Sequence, residues 1–211
     1  MCIRDSIKTF AKKFRIIVRS NNIKKYFTLS NDFQNNISNT LSALAVISIY
    51  KNIFKLNENI FINFKIPGGR GDHSVVKIHN KKINLIDQSY NSNPLSLKSA
   101  IKNFDKISSK KSNKYLLIGD MLELGRHSKK LHQSIAPIIN QTKIDKVFVK
   151  GKMASIIFSG ISKAKKGKIL SDNSQIIELI RKDLNNNDYL MIKASLATGF
   201  NDMVKELKGL H

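Results

Sequence analysis

The residues best equipped for chemistry stand together in one stretch, Asp87-Gln88-Ser89-Tyr90-Asn91-Ser92-Asn93-Pro94. It offers a carboxylate, the amides of Gln88, Asn91 and Asn93, and a phenol. The apolar run Ile83-Asn84-Leu85-Ile86 leads in, and Pro94 with an amphipathic segment leads out. That order predicts a buried strand, a polar turn and a helix start. In α/β folds, ligands gather there, off the carboxyl end of a strand and near a helix N-terminus. Such a rim suits a nucleotide sugar or another small polar substrate. The same residues also suit an Asx-rich turn that caps its own helix, and the stretch alone leaves both readings open.

Two more predicted strands end in polar clusters, Gly119 to Gly125 and Lys193-Ala194-Ser195. In a parallel sheet, all three would emerge at one edge. Covalent machinery is missing from the pattern: no G-x-x-x-x-G-K-[ST] loop, no G-x-S-x-G elbow and no Cys–His pair is present. Gly151-Lys152-Met153 does not make a phosphate loop. The five histidines lack metal-ligand spacing, and His132 falls on a predicted helix where packing is the simpler role. The chain therefore reads as binding groups without an engine.

The positioning elements follow from periodicity. Phe14 to Val18 and Lys24 to Leu29 are β-prone runs around Ser20-Asn21-Asn22, a hairpin pattern. Asn31 or Asp32 can cap a helix running to Tyr50, with Ile37, Leu41, Leu44, Ala45 and Ser48 on one face. Asn36 and Asn39, three apart, share a face near its start, where amides can read an adenine edge or simply be solvated. Pro67-Gly68-Gly69-Arg70-Gly71-Asp72 puts three glycines around one arginine, the best candidate domain boundary. An arginine there suits a phosphate contact, though an ordinary linker with a solvated arginine has the same sequence.

Beyond Ser74, strands and helices alternate. Val75 to Ile78 and Ile83 to Asp87 flank the hairpin signal Asn80-Lys81. Helices are predicted at Leu95 to Ile107, Ser128 to Asn140 (kinked at Pro137), Ser174 to Leu184 and Gly199 to Leu207. A shorter helix opens at Gly151-Lys152. Strands are predicted at Tyr115 to Ile118, Lys146 to Val149, Lys168 to Leu170 and Tyr189 to Ile192. This alternation means an α/β fold with a mainly parallel sheet covered on both faces.

Composition bounds the function. The chain has 211 residues and is 41% hydrophobic, enough for a core. No apolar run approaches the ~18 residues of a membrane span, and no secretory signal is evident. A single cysteine, Cys2, excludes an internal disulfide framework and a cysteine-rich zinc site, so a reducing, cytoplasmic setting is expected. Lys+Arg number 37 against 15 Asp+Glu, a formal charge of +22. The lysines are dispersed, and they accompany excesses of Asn and Ile that share A/T-rich codons. No zinc finger, RNP-like motif or helix-turn-helix goes with them, which argues against specific nucleic-acid binding. An anionic small molecule, such as a nucleotide, is the expected use of the field.

The two main blocks resemble the Mur ligases, specifically their C-terminal part. Asp87 to Pro94 matches D-[DE]-S-Y-N-A-N-P, and Gly119 to Gly125 matches G-D-M-x-E-L-G with a histidine downstream at His132. Arg70, a K-G-S-like block at Lys193 to Ser195, and an H-N-x-x-N-like box at Asn35 to Asn39 agree. The resemblance runs from about Asn31, or from Ile7, to the C-terminus. The order and spacing of the blocks point to the type that joins D-alanyl-D-alanine to UDP-N-acetylmuramoyl-tripeptide.

The resemblance implies ATP-dependent amide formation. The tripeptide carboxylate is phosphorylated, and the dipeptide amine attacks the acyl phosphate, with magnesium screening the phosphates. It further implies that Asn36 and Asn39 face adenine and that Arg70 reaches the γ-phosphate as the catalytic residue. Asp87 would touch the ribose, with Tyr90 and Asn91 beside the nucleotide. Asn93, Lys193 and Ser195 would lie toward the dipeptide. No metal ligand is expected among these residues. Gln88, Asn35, Ala194 and Leu196 depart from the family pattern, and Ala194 replaces a glycine that would allow close backbone approach.

The implied architecture is a C-terminal Rossmann-like domain, 74–211, behind a hinge at 67–73 and the tail of an α/β ATPase-type central domain, 7–66. Met1 to Ser6 fit no pattern and are set apart as a non-native lead. With no phosphate loop or UDP-sugar domain in the sequence, the expectation is a monomeric C-terminal fragment, inactive alone. The competing expectations are a stand-alone nucleotide- or anion-binding module and another ligase of the superfamily. The Tyr90 to Pro94 block argues against the latter.

Overall fold

The structure, a computed structural model, describes residues 8–10, 13–20, 23–30, 37–64, 67–78, 80–108 and 111–209. The chain divides into two compact units, Met1–Ile66 and Pro67–His211.

In the first unit, β1 (Lys8–Phe10), β2 (Lys13–Ser20) and β3 (Ile23–Ser30) form an antiparallel sheet in that order. Ser20 pairs with Ile23, so β2 and β3 make the expected hairpin, with its Asn21-Asn22 turn outside the described residues. Alternate residues Phe14, Ile16 and Val18 face one core with Phe27, Leu29 and Leu44 of α1 (Ile37–Tyr50). The described helix starts at Ile37, and the proposed caps Asn31 and Asp32 lie outside the described residues.

The second unit is built on a six-stranded sheet. Its strands are β4 (Asp72–Ile78), β5 (Lys81–Gln88), β6 (Lys114–Gly119), β7 (Lys146–Lys150), β8 (Lys166–Leu170) and β9 (Tyr189–Lys193). Their order is β4-β5-β9-β6-β7-β8, with only β4 antiparallel. The helices are α2 (Pro94–Asp105), α3 (Ser128–Gln133), α4 (Ala136–Asn140), α5 (Ala154–Ser159), α6 (Ser174–Asp183) and α7 (Phe200–Leu207).

Helices cover both faces, which explains why β6 is buried along its whole length. Leu116, Ile118, Val147, Val149 and Met191 pack with α2, α4 and α5 on one face. Leu117, Phe148, Leu190 and Ile192 pack with α6 and α7 on the other. The neighbouring strands β5 and β9 therefore send their following helices to opposite faces, which opens a crevice at their carboxyl ends.

One element departs from expectation. Ser128 to Asn140 is two short helices, α3 and α4, rather than one kinked helix. Pro137 lies in the first turn of α4, where its missing N–H leaves no hydrogen bond unmade. Among the described residues no helix is long and apolar enough to cross a membrane.

Candidate functional site

The parallel register sets Gln88 beside Lys193, and Lys193 beside Ile118, so three strands end level. β4 runs the other way, and its first residue, Asp72, pairs with Asp87 at the same edge. All three polar clusters therefore meet there.

Ser195 joins them. Its backbone N–H donates to the Asp120 carbonyl (3.2 Å). Its hydroxyl accepts from Leu122 N (3.0 Å) and donates to the Ser92 carbonyl (3.3 Å). Lys193 Nζ donates to the Asn91 carbonyl at 2.8 Å. Lys193 is 2% exposed, and among the described residues no carboxylate pairs with it. Burial pushes its ammonium down to about 8. Nearby, Ser92 is buried and its hydroxyl has no partner among the described residues. A buried cation and a spare hydroxyl under one turn form an unneutralised, donor-rich environment.

The turn itself is heavily self-bonded. Asp87 is 2% exposed. Its Oδ1 accepts from the backbone N–H and hydroxyl of Ser89 (3.0 and 2.6 Å), and its Oδ2 accepts from Lys208 Nζ (2.8 Å). Both oxygens are thus engaged inside the protein. Asn93 caps α2: its side-chain oxygen accepts from Ser96 N (2.8 Å), and the Ser96 hydroxyl accepts from Asn93 N (3.1 Å). The Asx-turn reading therefore holds for Asn93 and Asp87. Asn91 and Tyr90 stay exposed at the rim.

Arg70 lies against that rim. Its guanidinium stacks over the Tyr90 ring at 4.3 Å, and both side chains face solvent. The glycines bring the arginine there. Gly69 has φ 77°, and its carbonyl accepts from Tyr90 N (3.1 Å). A Cβ on Gly69 would stand 2.9 Å from Tyr90 Cβ, so a larger residue would separate the two segments. Gly71 N donates to the Asp87 carbonyl at 2.7 Å. From Gly69 onward, the segment expected as a hinge is tied to β5.

The loop after β6 is held from within. His132 is fully buried; its Nε2 accepts from Met121 N (3.0 Å) and its Nδ1 donates to the Ser128 carbonyl (2.8 Å). Asp120 Oδ1 accepts from Ala154 N (2.7 Å) at the start of α5. The G-D-M-x-E-L-G block and its histidine thus shape the site without presenting their own acid–base pair.

Asn39 is exposed on the first turn of α1, in the other unit, and Asn36 lies outside the described residues. Sequence reasoning missed Asp72, Ser89, Ser92 and Lys208. Ser89 and Ser92 stood inside the named block, but nothing marked Lys208. No group of three or more His, Cys, Asp or Glu able to hold a metal exists among the described residues. Asp72 and Asp87 stand together, but the Lys208 ammonium already bridges their oxygens, so this pair does not fit magnesium. Two grooves, of about 600 and 810 Å³, lie elsewhere, around Leu170 and Leu179 and around Asp105 and Lys143.

The chain has relatives among known proteins. Residues 74–196 match the family model of the Mur ligase, glutamate ligase domain. The UDP-N-acetylmuramoyl-tripeptide–D-alanyl-D-alanine ligase of Buchnera aphidicola subsp. Acyrthosiphon pisum is 33% identical over 175 residues, covering 82% of this chain and 36% of that protein. The Bacillus subtilis ligase of the same name is 29% identical over 128 residues, 59% of this chain and 28% of that protein. The chain thus spans well under half the length of these relatives. In fold, it is similar to the MurF ligase from Thermotoga maritima in complex with ADP (TM-score 0.73, 18% identity, 97% of this chain and 45% of that one). A MurF from Acinetobacter baumannii gives the same TM-score and identity, over 96% of this chain and 44% of that one.

Proposed function

Because the chain belongs to the Mur ligase family, we propose that it is the C-terminal portion of an ATP-dependent ligase of peptidoglycan precursor synthesis. The reaction proposed for the whole enzyme adds D-alanyl-D-alanine to UDP-N-acetylmuramoyl-tripeptide through an acyl phosphate. The observation that carries this reading is the meeting of the Asp87–Asn93 turn with Lys193 and Ser195 at one strand edge, through the Lys193–Asn91 and Ser195–Ser92 hydrogen bonds. Residues 74–211 would be the family's C-terminal domain, 7–66 a remnant of its central domain, and 67–73 the link between them.

The second unit offers binding rather than bond-breaking groups. Arg70, exposed and backed by Tyr90, is suited to a nucleotide phosphate. Lys193 has no counter-ion among the described residues and stands beside Ser195 and the spare Ser92 hydroxyl. We assign that group to the carboxylate side of the dipeptide, with Asn91 at the mouth. Asp87 is assigned to holding the turn rather than the ribose, because both its oxygens are engaged. The Asn36 and Asn39 roles rest on the motif alone. When ATP is bound, it supplies the phosphoryl group; this chain's own residues bind and orient. A cytoplasmic, monomeric enzyme, inactive as this portion alone, completes the proposal.

The test is saturation-transfer NMR on the 211-residue chain with D-alanyl-D-alanine, L-alanyl-L-alanine and ADP. Saturation of D-alanyl-D-alanine over its enantiomer, lost in Lys193→Met, is expected. Binding of ADP with no dipeptide preference would replace the reading by an anion-binding module.

A further inference from the structure

One buried ion cluster is centred on a cation, Lys208, that has no part in the roles above. Lys208 Nζ lies 2.5 Å from Asp72 Oδ2 and 2.8 Å from Asp87 Oδ2, with only 12% of its side chain exposed. Burial alone would pull this ammonium down, but hydrogen bonds to its two carboxylates outweigh that and raise it. It stays charged, and one cation answers two carboxylates.

The other bonds of those carboxylates lead to the rim. Asp72 Oδ1 accepts from Gly69 N (2.8 Å) and so braces the turn that carries Arg70. The Asp87 backbone carbonyl accepts from Gly71 N on the far side of Arg70, and Gly69 returns a bond from Tyr90 N. Arg70 is therefore flanked by Gly69, bonded to the Asp72 carboxylate, and by Gly71, bonded to the main chain of Asp87, and the carboxylates of both aspartates share Lys208. We infer that Lys208, on the residue after α7, is a positioning residue that clamps the Gly69–Asp72 turn to the Asp87–Tyr90 turn and so holds Arg70 against Tyr90 at the ligand rim. The clamp is a fact about the second unit alone; its use in nucleotide binding rests on the function proposed above.

The geometry sets the consequences. Without the ammonium, Asp72 and Asp87 would face each other across a largely dry gap, and like charges there repel. One carboxylate would swing away from the other, and that movement slackens the hold on Gly69 or on the Asp87 turn. Arginine at 208 keeps the charge and can serve two carboxylates through its fork.

The clamp is read by amide hydrogen exchange on the full chain, without ligand, in wild type, Lys208→Met, Lys208→Arg and the milder Asp72→Asn. Exchange at Gly71 and Tyr90 should rise about tenfold over that of β6 amides in Lys208→Met, the weight of one charge-assisted hydrogen bond. Lys208→Arg should restore it. Asp72→Asn, which keeps an acceptor for Gly69 N, should give a smaller rise and remains informative if the methionine variant does not fold. Equal changes at the rim and in β6, or no change in Asp72→Asn and Lys208→Met, would overturn the clamp. A second measurement separates the clamp from the function: ADP affinity in a Lys208→Met and Arg70→Ala double-mutant cycle. A loss of affinity in Lys208→Met that disappears in the Arg70→Ala background is expected. ADP affinity indifferent to Arg70→Ala would overturn the role of Arg70 while the exchange result still decides the clamp.

Discussion

Replacing Lys193 by methionine should make the protein more stable at neutral pH, and the gain should vanish in alkali. Lys193 ends β9 with 2% exposure, and its one described acceptor is a neutral carbonyl, Asn91 O. Its pKa falls from 10.5 to about 8 through burial. At about 1.4 kcal/mol per unit, this disfavours the charged folded state by ~3 kcal/mol. Methionine of similar length removes that penalty but leaves Asn91 O without its donor, which costs ~1 kcal/mol. The net gain below pH 8 is about 1–2 kcal/mol.

The sign follows from linkage. Between the folded value near 8 and the unfolded value of 10.5, the unfolded lysine holds a proton that the folded one has lost. Wild-type stability therefore rises with pH in that window as far as this group is concerned. The methionine variant lacks the term, so its advantage shrinks across the window and turns into a small deficit above it. Urea unfolding of both proteins by circular dichroism at pH 7, 9 and 10.5, compared as differences, cancels the other titrating lysines. A variant less stable than wild type at pH 7, or a gap flat across the series, would refute a charged, uncompensated Lys193.

Three further outcomes are expected. Asn93→Ala removes the capping box of α2 and should cost about 1 kcal/mol in thermal unfolding, with Asn93→Asp retaining most of it. His132→Ala strands the buried Met121 N–H and opens a cavity, so a loss of about 2–4 kcal/mol is expected in denaturant titration. Gly119→Ala would set a Cβ 2.6 Å from both Ala194 Cβ and Phe200 Cε2. Forcing β6, β9 and α7 apart should cost about 1–3 kcal/mol, measured by the midpoint of thermal unfolding.

Much of the fold was legible locally. The alternation of strand and helix after Ser74 gave the parallel sheet because β9 and β6 are apolar along most of their length, as strands covered on both faces must be. Pro137 was misread as a kink because the sequence does not show where a helix restarts, and there a proline is harmless. The site was half legible. The Asp87 to Pro94 block could be found, but not which of its polar groups the protein uses on itself. Asn93 spends its oxygen on Ser96, and Asp87 on Ser89 and Lys208, while Arg70 and Tyr90 remain outward.

The lysine excess divides in the same way. Read along the chain, it looked like a compositional bias whose field would serve an anionic small molecule. In the fold, Lys81 Nζ caps the carbonyls of Arg181 and Leu184 at the end of α6, and Lys114 Nζ caps Asp105 O at the end of α2. The sequence by itself determined the family blocks, the strand-and-helix order and the faces each element buries, because these depend on neighbours a few residues apart. Tertiary structure alone decided the pairing of Lys208 with Asp72 and Asp87, 136 and 121 residues away. It alone left Lys193 without a counter-ion among the described residues, because charge pairing depends on distance in space, which sequence spacing does not encode.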